Sequence, residues 1–351
     1  QARLVGSEMC IRDRDMCCLC RRTCYIVFGK SLMRRWTALL LFLSVAVGCR
    51  SATSPEGKSR PPWNIARAQV VRWQAEEPFF AQDFAVEASG LAASHRFLWV
   101  PSEKYGGLLL MELSKHAHVK TVRVDVPQYA ELEGVALIDG GLLLCDEAHA
   151  AVYEVLIDNE GDLFASPPVE PLPVKALALE GVPVTGGKIG FEGIEVDDED
   201  GTVYLLLERS GDKETGCVSR IWDLQRTDGG LRSDGDPLDV ALADCTWRLT
   251  GLAWWGDQFI ALRTQFPGYR YEVVTVDLET GDTEVLLNPT NLLRLLAREG
   301  WSNNVEGIAV SGDGSLWLVA DNAVTGEIDE PLPPPGASGT LLLRIPPTNS
   351  R

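Results

Sequence analysis

The hydrophobic and polar positions of the chain repeat one pattern five times. In each repeat a polar residue and a glycine begin an aliphatic strand, followed by a turn, a second apolar strand, a polar loop and a third strand. Repeats of roughly 40–50 residues with several strands each are typical of β-propeller blades. The pattern therefore predicts an all-β fold over residues 63–351, a five-bladed β-propeller of four-stranded antiparallel blades. The repeated glycines, spaced 44, 59, 58 and 56 residues apart, are Gly90, Gly134, Gly193, Gly251 and Gly307.

The end of the last repeat indicates how the ring closes. A fourth, outer strand follows most repeats, as at 118–126 and 282–287, but the last repeat stops after its third strand at Ile345. Residues 66–73 are predicted to supply the missing strand, so that an N-terminal strand closes the ring. A sixth, degenerate blade within 158–186 is the alternative to five blades.

The third repeat contains two cysteines that its strand pairing would bring together. Residues 217–224 are predicted as the third strand and 238–247 as the outer strand. A hairpin that pairs Leu224 with Leu238 places Cys217 opposite Cys245, close enough for small adjustments to form a disulfide. A register slip of one residue would send the two side chains to opposite faces. Cys145, inside an apolar second strand, is predicted to be a buried thiol.

One helix interrupts the strand pattern. Asn288-Pro289 is predicted to cap and start it, and Gly300 to end it. Its apolar face is predicted to consist of Leu292, Leu293, Leu295 and Leu296.

The first fifty residues do not follow the repeat. Residues 1–32 contain five of the nine cysteines, and part of this segment resembles translated sequencing-adaptor DNA, so we interpret it as a reading-frame artefact. A zinc site in the run CCLCRRTC is the alternative, although no second ligand pair follows at a finger-like distance.

A new start at Met33 gives a charged and then apolar segment that ends in Gly48-Cys49. This order is typical of a secretory signal, and it resembles a bacterial lipoprotein signal (33–49) in which Cys49 is lipidated. Residues 50–62 are predicted to be a tether. The expected location is the bacterial cell envelope, as an outer-membrane lipoprotein that faces the periplasm or the surface and touches the membrane only through its lipid anchor. Ordinary signal cleavage is the alternative.

The charge of the exported part limits its partners. Residues 1–48 carry eight Lys or Arg and three Asp or Glu, so the remainder has 24 basic and 47 acidic residues and a net charge of −23. Such a surface repels nucleic acid and other polyanions and attracts cations. We therefore expect no nucleic-acid partner and a small-molecule or envelope ligand; the oligomeric state is left open.

The residue before each repeated glycine is predicted to lie on one ring around the propeller axis. Three carboxylates and two hydroxyls that converge there would repel strongly unless a cation lies among them. Oxygen ligands alone suit Ca²⁺, so a calcium site is the hypothesis. Bracing of the channel through hydrogen bonds to backbone amides, or contact with a substrate, are the alternatives. These axial-ring residues are Ser89, Glu133, Glu192, Thr250 and Glu306.

A second ring is predicted at the end of each second strand, around the mouth of the same channel. Polar or charged residues interrupt the apolar run there in every repeat, although a solvated loop is the alternative. His149 is the one histidine near this face and a candidate acid–base group. No nucleophile elbow, P-loop or zinc-helix motif accompanies them. The second ring contains Glu103 and the candidate catalytic residues, which together with His149 are Asp146, Glu147, Glu208, Arg209, Arg263, Asp321 and Asn322.

Short phrases in the repeats resemble known propeller families. They are S-G-L at 89–91, L-E-G-V at 132–135, G-F-E-G-I at 190–194, V-E-G-I-A at 305–309 and L-V-A-D-N at 318–322. They are similar to the SdiA-regulated family and to the esterase-like phytase family. A weaker similarity to calcium-dependent apyrase propellers implies an axial Ca²⁺ held by Ser89, Glu133, Glu192 and Glu306; Thr250 departs from that pattern.

Three functions are compatible with these observations. The first is a lipid-anchored propeller that binds a ligand or Ca²⁺ at its axial mouth without turnover. The second is a metal-dependent esterase or phosphoesterase that uses the same face. The third is an envelope scaffold or protein-interaction module. The net charge of −23 and the absence of a Lys/Arg cluster at the mouth disfavour phytate itself as a substrate.

Overall fold

The computed structural model describes residues 63–71, 74–75, 87–103, 106–114, 118–183, 190–302, 304–321 and 340–348. All of them belong to the compact unit Pro61–Arg351. The predicted signal with Cys49, the tether at 50–62 and Asn322 lie outside the described residues. In the described part of the chain, no helix combines the length and the hydropathy needed to cross a bilayer.

Strands are the main secondary structure of the described residues, which also contain three short helical segments. These are a 3-10 turn (Ile65–Arg67), α1 (Glu160–Ala165) and α2 (Thr290–Arg298). The strands are β1 (Gln69–Val70), β2 (Gln74–Ala75), β3 (Ala92–Ala93), β4 (Phe97–Ser102), β5 (Gly107–Glu112), β6 (His118–Arg123), β7 (Leu132–Ile138), β8 (Gly141–Asp146), β9 (Ala151–Leu156), β10 (Val174–Glu180), β11 (Phe191–Val196), β12 (Val203–Asp212), β13 (Gly216–Arg226), β14 (Gly230–Arg232), β15 (Leu238–Ala241), β16 (Trp247–Trp255), β17 (Gln258–Gln265), β18 (Arg270–Val276), β19 (Thr283–Leu287), β20 (Asn304–Val310), β21 (Leu316–Asp321) and β22 (Leu342–Ile345).

These strands pair into four-stranded antiparallel units, which we number one to five along the chain. They are β3–β4–β5–β6, β7–β8–β9–β10, β11–β12–β13–β15, β16–β17–β18–β19 and β20–β21–β22–β1. β2 extends unit one in parallel with β6, and β14 bridges β10 of unit two and β13 of unit three. The predicted all-β propeller class is confirmed.

The N-terminal strand closes the ring as predicted, over fewer residues. β1 pairs with β22 through Gln69 opposite Arg344 and Val70 opposite Leu343. The rest of the predicted strand differs because residues 65–67 form the 3-10 turn, which begins where the Asn64 side chain accepts the Ala66 amide at 3.2 Å. The described part of 158–186 forms α1 and then β10, the outer strand of unit two, rather than a separate sheet.

Neighbouring units share hydrophobic core clusters because both faces of their inner strands are buried. In β4, Phe97 and Trp99 pack towards unit two, whereas Leu98 and Val100 pack towards unit five. Successive side chains of a strand point to opposite faces, so an inner strand between two neighbours requires a continuous apolar run. Similar clusters join units two and three, three and four, and four and five.

The first strands approach one another most closely at the repeated glycines. A Cβ on Gly134 would lie 2.9 Å from Cα of Gly193, and one on Gly90 would lie 2.9 Å from Cα of Gly134. A Cβ on Gly307, in unit five, would lie 2.3 Å from the Ser89 carbonyl oxygen of unit one. These approaches follow the units in order and return to the first, so the glycines are required by backbone packing around the axis.

The predicted register of unit three is wrong, although its two cysteines do form a disulfide. Ile221, not Leu224, pairs with Leu238, and the outer strand ends at Ala241 because a turn follows in which Asp244 accepts the Thr246 amide. That turn brings Cys245 to the start of β13, where it bonds Cys217 with the Cα atoms 5.2 Å apart. Trp247 already belongs to the first strand of unit four.

The predicted apolar face of α2 is partly wrong. Leu293 and Leu296 are buried against units four and five, and Leu292 packs at the edge of that cluster. Leu295 is 51% exposed, since its position turns to the solvent side of this short helix. Cys145 is a buried free thiol.

Candidate functional site

The first strands of units two to five carry a β-bulge at the residue before the repeated glycine. In unit two, the pairing of the first with the second strand includes Leu132 and Gly134 but skips the residue between them. In unit five, the same pairing includes Val305 and Gly307 and again skips the residue between them. Units three and four skip Glu192 and Thr250 in the same way. A bulge re-aims the side chain of the extra residue. All axial-ring residues are buried, at 1–6% exposure: Ser89, Glu133, Glu192, Thr250 and Glu306.

The carboxyl groups of the axial ring raise one another's pKa values through their charges. Burial raises the pKa of Glu133 well above its usual range, and the charges of Glu192 and Glu306 raise it further. Burial also raises the pKa of Glu192. The Ser89 hydroxyl lies within hydrogen-bond distance of the Glu133 carboxylate and 2.9 Å from the Glu133 carbonyl oxygen. The ring therefore concentrates negative charge in a place poorly accessible to water.

Arg248, which the sequence analysis missed, supplies a fixed positive charge to this ring. Its guanidinium contacts the carboxylates of Glu208 and Glu306, the latter at 2.8 Å, and its Nε donates to the Thr264 hydroxyl at 3.2 Å. The three neighbouring carboxylates hold the pKa of Arg248 above its usual value despite burial. Superposing the repeats by their glycines would have revealed it, since the position three residues before the glycine holds Glu87, Glu131, Gly190, Arg248 and Asn304.

The residues at the mouth of the channel lie opposite the position three residues before each repeated glycine. The amide of Glu103 bonds the carbonyl of Glu87 at 2.9 Å, and the amide of Glu147 bonds that of Glu131 at 2.9 Å. Their equivalents lie opposite Gly190, Arg248 and Asn304 in the other units. We call this set the mouth ring: Glu103, Glu147, Glu208, Thr264 and Asp321.

Asp146 and Arg263 lie one residue earlier in their strands, opposite Leu132 and Leu249. Alternate residues face opposite sides of a strand, so both point away from the mouth. The prediction that they line it is therefore wrong. Asp146 is fully buried and accepts hydrogen bonds from Tyr153 Oη (3.0 Å) and the Glu131 amide (3.0 Å).

The remaining candidates of the second ring are also engaged in structural contacts. Arg263 bonds Glu272 and lies 5.4 Å from the Trp247 ring. The guanidinium of Arg209 donates to the Cys245 carbonyl beside the disulfide. His149 Nδ1 lies 2.8 Å from Oδ2 of Asp146, in the loop that follows β8. Arg263 therefore joins β17 to β18, whereas Arg209 and His149 hold loop segments.

Three carboxylates of the mouth converge into one cluster. Ligand oxygens of Glu103, Glu306 and Asp321 all lie within 4.8 Å of one another. Burial raises the pKa of Glu103 to about 11, and the charges of Glu133, Asp321 and Glu306 raise it in turn. The cluster thus combines one axial-ring residue with two mouth-ring residues, and it can bind protons or a metal cation.

Glu147, at the mouth, is half-buried. Burial, and after it the charge of Glu208, raises the pKa of Glu147 to about 7.

At the opposite end of the channel, the first strands of all units enclose a cavity of about 440 Å³. Several of its carboxylates, such as Asp198 and Asp257, are exposed. Hydrated carboxylates need a counter-ion less than buried ones, so the mouth is the stronger candidate for a bound cation.

Comparison with known proteins agrees with the fold. The fold and the four-stranded units define a β-propeller protein. The model of the Phytase-like family, described as esterase-like activity of phytase, matches residues 77–323, and the chain belongs to this family. The predicted resemblance to the esterase-like phytase group is therefore confirmed; the resemblance to the SdiA-regulated family stays a prediction. No curated protein sequence matches the chain.

The chain resembles solved structures at low sequence identity, among them the following two. The glutaminyl cyclase of Myxococcus xanthus is 13% identical, with 80% of this chain and 96% of that chain covered and a TM-score of 0.45. The PQQ-bound aldose sugar dehydrogenase of Streptomyces coelicolor is 15% identical, with 82% and 99% covered and a TM-score of 0.42. Similarities this distant say nothing about the chemistry of the present site.

Proposed function

We propose that this propeller binds one divalent cation, Ca²⁺ by preference, at its axial mouth between Glu103, Glu306 and Asp321. The observation that carries the proposal is the convergence of three carboxylates within 4.8 Å in a mostly buried place. Like charges so close are strongly unfavourable without protons or a cation. Oxygen ligands without nitrogen or sulfur favour Ca²⁺ over transition metals.

The axial ring adds a neutral oxygen to this environment. Thr250 is 1% exposed, and its hydroxyl oxygen has no hydrogen-bond partner among the described residues. A buried hydroxyl without a partner is costly, and a ring cation or its bound water would satisfy it. Compared with the ring predicted from sequence, this site keeps Glu306 and exchanges the other ligands for Glu103 and Asp321. The Ser89–Glu133 contact and the charge of Arg248 near Glu192 support a bracing role for those residues.

Direct metal analysis and calorimetry test the proposal. We expect purified protein to bind one Ca²⁺, and Glu103→Gln or Asp321→Asn to weaken binding at least about tenfold, because each removes a nearby charged ligand. Glu279→Gln removes an exposed carboxylate and is the matched control. Ca²⁺ should raise the melting temperature by mass action. Unchanged binding in the two mouth variants would refute the site.

A second function, hydrolysis of ester or phosphoester bonds, is favoured by one further observation. Glu147 lies on the mouth ring with a pKa of about 7, which suits a general acid or base at neutral pH. The family description also points to esterase-like chemistry. A bound cation would offset the negative mouth for an anionic substrate. Calcium-dependent hydrolysis of p-nitrophenyl esters or phosphates that Glu147→Gln abolishes would support it; no hydrolysis by the wild type leaves binding without turnover.

The anchoring of the protein is proposed from its sequence alone. Lipidation of Cys49 would place the propeller in the bacterial envelope, where Ca²⁺ is available from outside the cell. Mass spectrometry of the mature N-terminus would detect a diacylglycerol-modified Cys49, and an unmodified N-terminus would contradict the proposal.

A further inference from the structure

Asn304 places a side-chain amide between two carboxylates of the candidate cation site. It is the first residue of β20 and lies directly opposite Asp321, the last residue of β21. Side chains of directly opposed residues in an antiparallel pair are close neighbours. The β-bulge at Glu306 re-aims that side chain as well. One amide is therefore within reach of two carboxylates.

The hydrogen bonds of this amide join the two carboxylates to each other. Nδ2 of Asn304 donates to Oε1 of Glu306 at 2.9 Å and to Oδ2 of Asp321 at 3.3 Å. Oε1 of Glu306 also accepts from Nη2 of Arg248 at 2.8 Å. Because a guanidinium can only donate, Oε1 is an acceptor, and the amide atom that faces it must be the nitrogen with its two N–H groups. One nitrogen therefore bridges two carboxylates.

This arrangement also determines which oxygen of Glu306 a cation can use. A carboxylate oxygen has two lone pairs, and the donors from Asn304 and Arg248 occupy both of those on Oε1. The oxygen that Glu306 presents to a cation is therefore Oε2.

Unit five differs from units one and two at this position of the mouth. In those units Glu87 and Glu131 lie opposite Glu103 and Glu147, so an acid faces an acid across the strand pair. An ionised carboxylate has no hydrogen to donate. Asn304 instead supplies two N–H donors, on the strand pair that carries two of the three carboxylates of the cluster.

We propose that Asn304 is a positioning residue of the cation site: its amide holds the carboxylates of Glu306 and Asp321 together before the ion binds. The inference rests on the proposed function, since it presupposes a cation at this cluster. Without the bridge the two charges repel and have to be brought together as the ion binds. A preformed arrangement avoids this cost, so Asn304 raises the affinity for the ion without touching it, as residues that orient metal ligands do.

The affinity for Ca²⁺ is the first test. Asn304→Leu keeps the length and branching of the side chain but removes both donors. We expect calorimetry to show at least about tenfold weaker Ca²⁺ binding for this variant. Gln225→Leu is the matched control, because it removes an amide away from the mouth, where Nε2 of Gln225 donates to Oγ1 of Thr202 at 3.0 Å. It should bind Ca²⁺ as the wild type does.

A spectroscopic measurement distinguishes positioning from a general loss of structure. Tb³⁺ binds oxygen ligands as Ca²⁺ does, and its luminescence decay in H₂O and in D₂O counts the water molecules on the ion. In Asn304→Leu a carboxylate that is no longer held should leave the ion, and water should replace it. We therefore expect at least about one more bound water than in the wild type, and no change in Gln225→Leu.

The two measurements are decisive together. Weaker Ca²⁺ binding with the additional water supports the inference. Wild-type affinity in folded Asn304→Leu, or weaker binding with an unchanged water count, overturns it and leaves the proposed function standing. A wild-type protein that binds no Ca²⁺ overturns the proposed function, on which the inference depends.

If Asn304→Leu does not fold, Asn304→Ser takes its place. The serine side chain is smaller and has one donor, so it can hold only one of the two carboxylates. The same two changes are required of it, and wild-type affinity in this variant overturns the inference.

Discussion

Gly307 gives the sharpest test of how the ring closes. A Cβ at this position would lie 2.3 Å from the Ser89 carbonyl oxygen, 2.9 Å from the carbonyl carbon of Gly90 and 2.7 Å from Cγ1 of Val319. Two of these atoms belong to the backbone of unit one, which cannot rotate away as a side chain can. The substitution Gly307→Ala must therefore push units five and one apart. Overpacking of this kind costs about 3 kcal/mol at the upper end of its usual range.

Two further glycines make the test a graded series. A Cβ on Gly193 would come no closer than 3.3 Å, to a Leu206 methyl group, and one on Gly235 would meet nothing within 4 Å. We expect urea unfolding to show a loss of about 3 kcal/mol for Gly307→Ala and about 1 kcal/mol for Gly193→Ala. Gly235→Ala should be nearly neutral, because a compatible Gly→Ala exchange mainly restricts the unfolded chain. A loss for Gly307→Ala no larger than that for Gly235→Ala would refute the closure of the ring at this contact.

Two other outcomes are expected. Cys245→Ser should lower the free energy of unfolding by up to about 3.5 kcal/mol, since the disulfide closes a loop with a sequence separation of 28; equal stability of the reduced and oxidised wild type would contradict this. In EDTA, stability should fall as pH rises from about 5 to 8, because burial raises the folded-state pKa values of Glu306 (to about 7) and Glu103 (to about 11) above the ordinary glutamate value of 4.5. Their contribution is complete below pH 4.5 and decreases by about 1.4 kcal/mol per pH unit for each proton up to the folded pKa. A melting temperature that rises over this range in EDTA would contradict the second prediction.

The repeat and its closure could be predicted from sequence because local rules enforce them. Close approach of the first strands allows only glycine at Gly134 and Gly307. A glycine therefore recurs at the same place in each repeat and can be recognised in the sequence. The repeat grammar also indicated an N-terminal partner for the last third strand, and β1 does pair with β22. Burial on both faces of the inner strands appears as continuous apolar runs such as that of β4.

The details of the mouth depend on features that a linear pattern does not carry. In units two and four the bulge beside the glycine shifts the strand pairing by one residue, so Glu147 rather than Asp146, and Thr264 rather than Arg263, faces the axis. Arg248 acquires its role only through contact with residues of other units. Similarly, the short outer strand that ends at Ala241 follows from a turn, and its end could not be read from the apolar run.

The central claim, a divalent cation held between Glu103, Glu306 and Asp321, can be tested most directly by locating a bound ion. Crystals of the protein grown with Mn²⁺ in place of Ca²⁺ give an anomalous signal for the metal. We expect one peak about 2.0–2.6 Å from a carboxylate oxygen of each of the three residues, and its loss in Glu103→Gln. A peak confined to the cavity at the opposite end of the axis, or no peak at the mouth in folded wild-type protein, would contradict it.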